Sequence, residues 1–196
     1  MLNVFRKALW SIVSMLIYKP LFGNIGFKSV IVKPLKINNC KRIFIESQVV
    51  INDFSWLMAV NKESCLSISK GTRIGHFAHI ICLNKIIIKE NVLIADKVYI
   101  SDNTHAYEDI KTPIKNQPVK FVGEVEIGEN SWIGESVSII GCRIGRNSVI
   151  GANSVVTKDI PSYCVAVGAP ARIIKRFDKQ QNIWRKTNMK GEFVDE

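Results

Sequence analysis

The sequence predicts an all-β fold, a triangular prism of stacked coils, and three observations carry that prediction. Aliphatic residues recur at every sixth position. The series runs Ile68, Ile74, Ile80, then after a two-residue offset Ile88, Ile94, Ile100, and later Ile127, Ile133, Ile139, a five-residue step to Ile144, and Ile150. Three residues after many of these stands Gly71, Asn91, Asn103, Asn130, Asn147 or Asn153, residue types that accept the left-handed backbone of a tight corner. The rhythm halts at ISDNTHAYED (residues 100–109) and resumes about two dozen residues later.

A period of six excludes the common alternatives. An amphipathic helix repeats every 3.6 residues, and a sandwich strand alternates by two with irregular turns. A short flat strand plus a corner does fit, and three of them make a coil of about 18 residues, stacked about 4.8 Å from its neighbours. Length and composition agree: 196 residues, 47% hydrophobic and 22% charged, suit one globular domain over about residues 30–175. The five cysteines form no CxxC pair, so neither a disulfide framework nor a zinc knuckle is expected. A net charge of +10 implies a polyanionic partner without naming it. No aromatic-basic module supports nucleic acid as that partner.

Residues 1–20, MLNVFRKALWSIVSMLIYKP, read as an amphipathic helix ending near Pro20, too short to span a bilayer and without a small-x-small cleavage site. Asn3, Lys7, Ser11 and Ser14 fall on one helical stripe, with Arg6 beside them. Two expectations follow. Either the apolar face packs on the prism and caps its open end, or the helix lies on the inner membrane surface with its basic residues toward anionic lipid.

The stretch VEIGENSWIGESVSIIGCRIGRNSVIGANSVVTKDIPSYCVAVGAPARIIKRF resembles the C-terminal half of the hexapeptide-repeat acyltransferases, among them the galactoside and maltose acetyltransferases. The resemblance extends back through KENVLIADKVYISDNTHAY and less sharply to about residue 30. It implies a left-handed parallel β-helix, an exception to the right-handed rule for parallel crossovers that periodicity could not reveal. It also implies acetyl-CoA as co-substrate, no required metal, and a histidine that takes a proton from an acceptor hydroxyl or amine.

By position, the resemblance makes His105 that base. His79 and Asn103 are weaker candidates for gripping the acceptor, and His76 weaker still. The γ-class carbonic anhydrases share the fold and bind metal through three histidines, but His76, His79 and His105 lack that family's spacing. The resemblance places Trp132 and Ala152 along the pantetheine arm, with Thr157 and Lys158 lining the rest of the groove. The same resemblance places Arg172 and Lys175 near the nucleotide phosphates, where a cation has an electrostatic reason to be. Glu135, at a position often small in the sugar acetyltransferases, and the short coil between Ile139 and Ile144 are departures.

The length of the irregular segment, residues 103–122, suits a functional loop, and the resemblance implies that it projects and helps close a site against a neighbour in a homotrimer, while residues 176–196 are expected to form a helix or arm. The implied activity is O-acetylation of a sugar hydroxyl in capsule, exopolysaccharide or lipopolysaccharide synthesis, in the cytoplasm or at the inner face of the membrane. N-acetylation of a nucleotide amino sugar is the alternative, and a non-enzymatic β-helix scaffold a second.

Overall fold

The computed structural model describes residues 2–188 and 191–194, without the side chains of residues 2–4 and 7. Six coils stack into a three-faced prism. The first face is built from Asn24–Ile25, Ile43–Ile45, Cys65–Ile68, Lys85–Ile88, Val125–Ile127 and Arg143–Ile144, all parallel. The second runs Val30–Ile31, Val50–Ile51, Arg73–Ile74, Leu93–Ile94, Trp132–Ile133 and Val149–Ile150. The third runs Lys36–Asn38, Trp56–Ala59, His79–Cys82, Tyr99–Ser101, Ser138–Ile140 and Val155–Val156.

The six-residue series is the core. Every isoleucine in it, from Ile68 to Ile150, is at most 1% exposed. Burying one such side chain stabilises the fold by about 1.5–3 kcal/mol. Adjacent coils bond each other's backbones, as in Arg73 N–H to Val92 O at 2.9 Å and Leu93 N–H to Ser131 O at 2.9 Å. Gly71, Asn91, Asn130, Asn147 and Asn153 all have positive φ, as corners require. Asn103 does not; it is a buried strand residue, so the corner role read from its spacing is corrected. Phe54, Phe77, Lys97 and Ser136 also turn corners at positive φ, against their own preference.

The amino-terminal segment is helical over Leu2–Val13, widens to a π turn over Ser14–Tyr18, and closes with Lys19–Leu21. Its orientation is the reverse of the capping expectation. Ser14 is fully buried, and its Oγ accepts the Ile31 N–H at 3.0 Å, a donor on the free edge of the second face. Arg6 forms an ion pair with Asp53, and the Lys41 Nζ donates to Pro20 O at 2.8 Å. Ser14 and Arg6 therefore face the prism beside the half-buried Trp10, Val13 and Tyr18, because an open sheet edge needs acceptors. Phe5, Leu9, Ile12 and Leu16 are left facing outward, between 53% and 71% exposed. Asn3 and Lys7, expected on the polar stripe, have side chains outside the description. Among the described residues no helix is long and apolar enough to cross a membrane.

Beyond the last coil the chain forms strands rather than a helix. Cys164–Val167 extends the second face, and Arg172–Asp178 and Ile183–Lys186 follow antiparallel to it. Asp178 fixes that turn by accepting the Gln180 and Gln181 N–H groups and pairing with Arg185 at 3.0 Å.

Candidate active site

The break in the rhythm is a β-hairpin on the edge between the third and first faces. Asn103–His105 pairs antiparallel with Val119–Phe121, so that His105 stands opposite Val119. The hairpin is rooted by Asp102, which is fully buried. The chain leaves the prism here, so three N–H groups of the preceding coil lose their usual carbonyl acceptors. The Asp102 carboxylate replaces them, accepting from Leu83, Asn84 and Lys85 at 2.7–2.8 Å. It also takes the Asn103 Nδ2 at 2.8 Å, and that amide donates again to Ile81 O at 3.1 Å. Ser101 completes the root, its Oγ donating to Asn103 O and accepting the Asn103 N–H. The returning strand is held where Val122 N–H meets Asp102 O, and Gly123 lies where a Cβ would come within 2.5 Å of Gly141 O.

Above the root the hairpin is exposed. Asp109 organises the tip by accepting from the Lys111 N–H and the Thr112 hydroxyl at 2.7–2.9 Å. The Lys120 ammonium beside Glu108 holds that carboxyl down to about 2. His105 is exposed on this arm, while Ile110, at 95% exposure, projects from the tip.

The other histidines sit elsewhere. His79 lies on the outer side of the third face, stacked on Trp56 (4.3 Å between centroids) with Tyr99 edge-on at 5.5 Å. Burial lowers its pKa and its Nε2 is buried without a hydrogen-bond partner. His76 is at the corner between the second and third faces, its Nδ1 3.1 Å from Asp96 and its Nε2 3.6 Å from Asp53. Among the described residues, no group of three or more His, Cys, Asp or Glu could hold a metal ion. Burial and the Asp102 charge push the Cys82 thiol up to about 12, and burial pushes Cys142 up to about 11, so neither supplies a thiolate nucleophile.

The expected cofactor residues divide between two sides of the prism. Thr157 and Lys158 are exposed on the same edge as the hairpin, two coils, about 10 Å, beyond its root. Ala152 occupies the opposite corner, between the second and third faces. Gly134 lies under it, where a Cβ would come 2.7 Å from the Ala152 N, which explains the glycine of NSWIG. Trp132, 51% exposed, lies in an outward row on the second face that comes from Arg73 and Leu93 and continues through Val149 and Val165 to Lys175 and Lys186. Arg172 is exposed opposite Val167 on the same sheet. One prism therefore brings His105, Thr157 and Lys158 to one edge and Trp132, Ala152, Arg172 and Lys175 to another side, with the whole third face between them. Of the carboxylates Asp102, Asp53 and Asp96, Asp102 alone carries a sequence signal, an acid at the residue where the repeat stops.

Residues 124–158 match the family described as bacterial transferase hexapeptide (six repeats). A putative lipopolysaccharide biosynthesis O-acetyl transferase, WbbJ, of Escherichia coli K12 is 33% identical over 125 residues, 60% of this chain and 64% of that protein. The chain spans from 29% to 64% of the length of the first curated relatives it matches. Among solved structures, galactoside acetyltransferase in complex with coenzyme A matches at TM-score 0.58 with 27% identity, covering 91% of this chain and 76% of that one. AntD, an N-acyltransferase from Bacillus cereus in complex with dTDP and 3-hydroxybutyryl-CoA, matches at TM-score 0.70 with 21% identity, covering 86% and 90% respectively. The AntD likeness is one of fold.

Proposed function

We propose that this chain, which carries the bacterial transferase hexapeptide repeat over residues 124–158, is an acetyl-CoA-dependent acetyltransferase whose acceptor is a sugar hydroxyl. The observation that carries the reading is the rooted hairpin: a regular solenoid is broken once, and the break presents an exposed histidine on a buried carboxylate anchor. The likeness to WbbJ supports an O-acetyl transfer in bacterial lipopolysaccharide synthesis.

In this mechanism the His105 imidazole takes the proton of the acceptor hydroxyl as its oxygen attacks the thioester carbonyl. The carbon–sulfur bond breaks, and the imidazolium returns the proton to the departing thiolate. The thioester is already activated, so the protein's share is placement, proton transfer and an N–H donor for the developing oxyanion. Arg172 and Lys175, both exposed on one sheet, suit the phosphates, and Trp132 and Ala152 offer an open surface to the pantetheine arm.

Because His105 and Ala152 lie on different sides of one prism, the site is completed by a second copy, in a homotrimer with three intersubunit sites. The exposed Ile110 and Val119 of the hairpin suit contact with that neighbour. A second reading is N-acetylation of a nucleotide-linked amino sugar, favoured by the fold-level likeness to AntD. The test is thiol release from acetyl-CoA across a panel of sugars, glycolipid precursors and nucleotide amino sugars. Transfer to a hydroxyl acceptor supports the first reading and transfer only to an amine the second. Neither transfer nor acetyl-CoA binding with any acceptor would revive the scaffold.

A further inference from the structure

We propose that the N-terminal helix and the first coil form a docking surface for an anionic phospholipid bilayer. The helix is latched by Ser14 on the Ile31 N–H and by Arg6 on Asp53, which fixes the apolar residues Phe5, Leu9, Ile12 and Leu16 toward solvent. The same end of the molecule exposes Phe27, at 74%, on a corner of the first coil, with the Lys28 ammonium 5.3 Å from its ring. An apolar stripe with cations at its border is the arrangement that seats a helix in a headgroup layer.

Charge selects the occupant. Residues 1–42 contain eight Lys or Arg and no Asp or Glu, so most of the net +10 lies in the first fifth of the chain. A second copy presenting the same face would bring like charges together, whereas an anionic leaflet neutralises them. Beside the helix a cavity of about 550 Å³ has Met15, Ile25, Phe27 and Val30 on its apolar side and Lys19, Lys28 and Arg73 around it. Apolar walls with a cationic rim match a phospholipid's acyl chain and phosphate. Three coil steps, about 15 Å, separate this end from the root of the hairpin, so docking leaves His105 accessible.

The test is co-sedimentation of the full chain with vesicles of phosphatidylcholine alone and of phosphatidylcholine containing about 30% phosphatidylglycerol. The wild type is expected to pellet only with the anionic vesicles and to be released by high salt. Leu9→Asp with Leu16→Asp, both at exposed positions, is expected to weaken binding at least about tenfold while the circular-dichroism melt is unmoved. Should that variant fail to fold, Lys19→Glu with Lys28→Glu reads the same surface through charge, with the same expected loss. The proposal is overturned if the wild type stays in the supernatant with anionic vesicles, or if the folded variants pellet as the wild type does. It is equally overturned if Leu9→Asp with Leu16→Asp splits an oligomer and leaves vesicle binding intact, since the face would then join copies.

Discussion

The coils and the hairpin that interrupts them solve one problem, the pairing of backbone polar groups, by opposite means. In the coils each strand is paired by the strands above and below, and the isoleucine stack beneath is almost wholly excluded from water. The hairpin makes a single three-residue pairing, Asn103–His105 with Val119–Phe121, and its connection to the prism depends on the Asp102 carboxylate and its three N–H donors. The contrast teaches a division of labour. The coils hold the fold with redundant contacts, and the hairpin holds an exposed imidazole with a few buried ones.

The comparison breaks most visibly in activity. His105→Ala is expected to reduce acetyl transfer by about 10²- to 10⁴-fold with the melting temperature unchanged. Retention of full transfer would remove His105 from the chemistry.

In stability, Ile80→Ala in the coils is expected to cost about 2–5 kcal/mol, read as a lower denaturant midpoint, through the cavity left in the stack. Asp102→Ala should cost about 2–4 kcal/mol by leaving buried donors unpaired, and it should also expose the hairpin to proteolysis. A matching loss at Asp102 without faster cleavage between residues 103 and 122 would show that the hairpin is held elsewhere.

Acid separates the two regions by pH. His79 in the coils has a folded pKa below its unfolded value, so its contribution is present above about pH 6.5 and is lost as pH falls below that. Glu108 in the hairpin, held at about 2, contributes above about pH 4.5 and loses that contribution as pH falls toward 2. His79→Phe is expected to flatten the melting-temperature profile between pH 7 and 5, and Glu108→Gln, the smaller effect, only below about pH 4.5. Both wild-type slopes surviving the substitutions would assign the acid sensitivity to other groups.

The same division explains what could be read from the sequence. The isoleucines at every sixth position were legible because each is both periodic and buried, so pattern and packing coincide. The break at residue 103 was legible as a break. Its hairpin was not, since Val119, Lys120 and Phe121 are all exposed and gain their strand geometry only from pairing with Asn103–His105. Asn103 carries the corner signal, three residues after Ile100 as Asn91 is after Ile88, yet lacks the corner because the chain leaves the prism at that point. The helix stripe Ser11 and Ser14 is visible in the sequence, but the inward facing of Ser14 depends on the Ile31 N–H, which no neighbouring strand accepts. The division of Lys158 from Trp132 and Ala152 between two sides became apparent only once the coils closed.

That division gives the most direct test of a site shared between copies. Chains carrying His105→Ala and chains carrying Ala152→Trp are each inactive alone if both positions serve the reaction. Co-assembled in equal amounts, about one quarter of the interfaces unite a wild-type His105 with a wild-type Ala152 from the neighbouring copy. Recovery of about a quarter of wild-type thiol release is therefore expected, and mixed, folded assemblies with no activity above the separate variants would contradict the shared site.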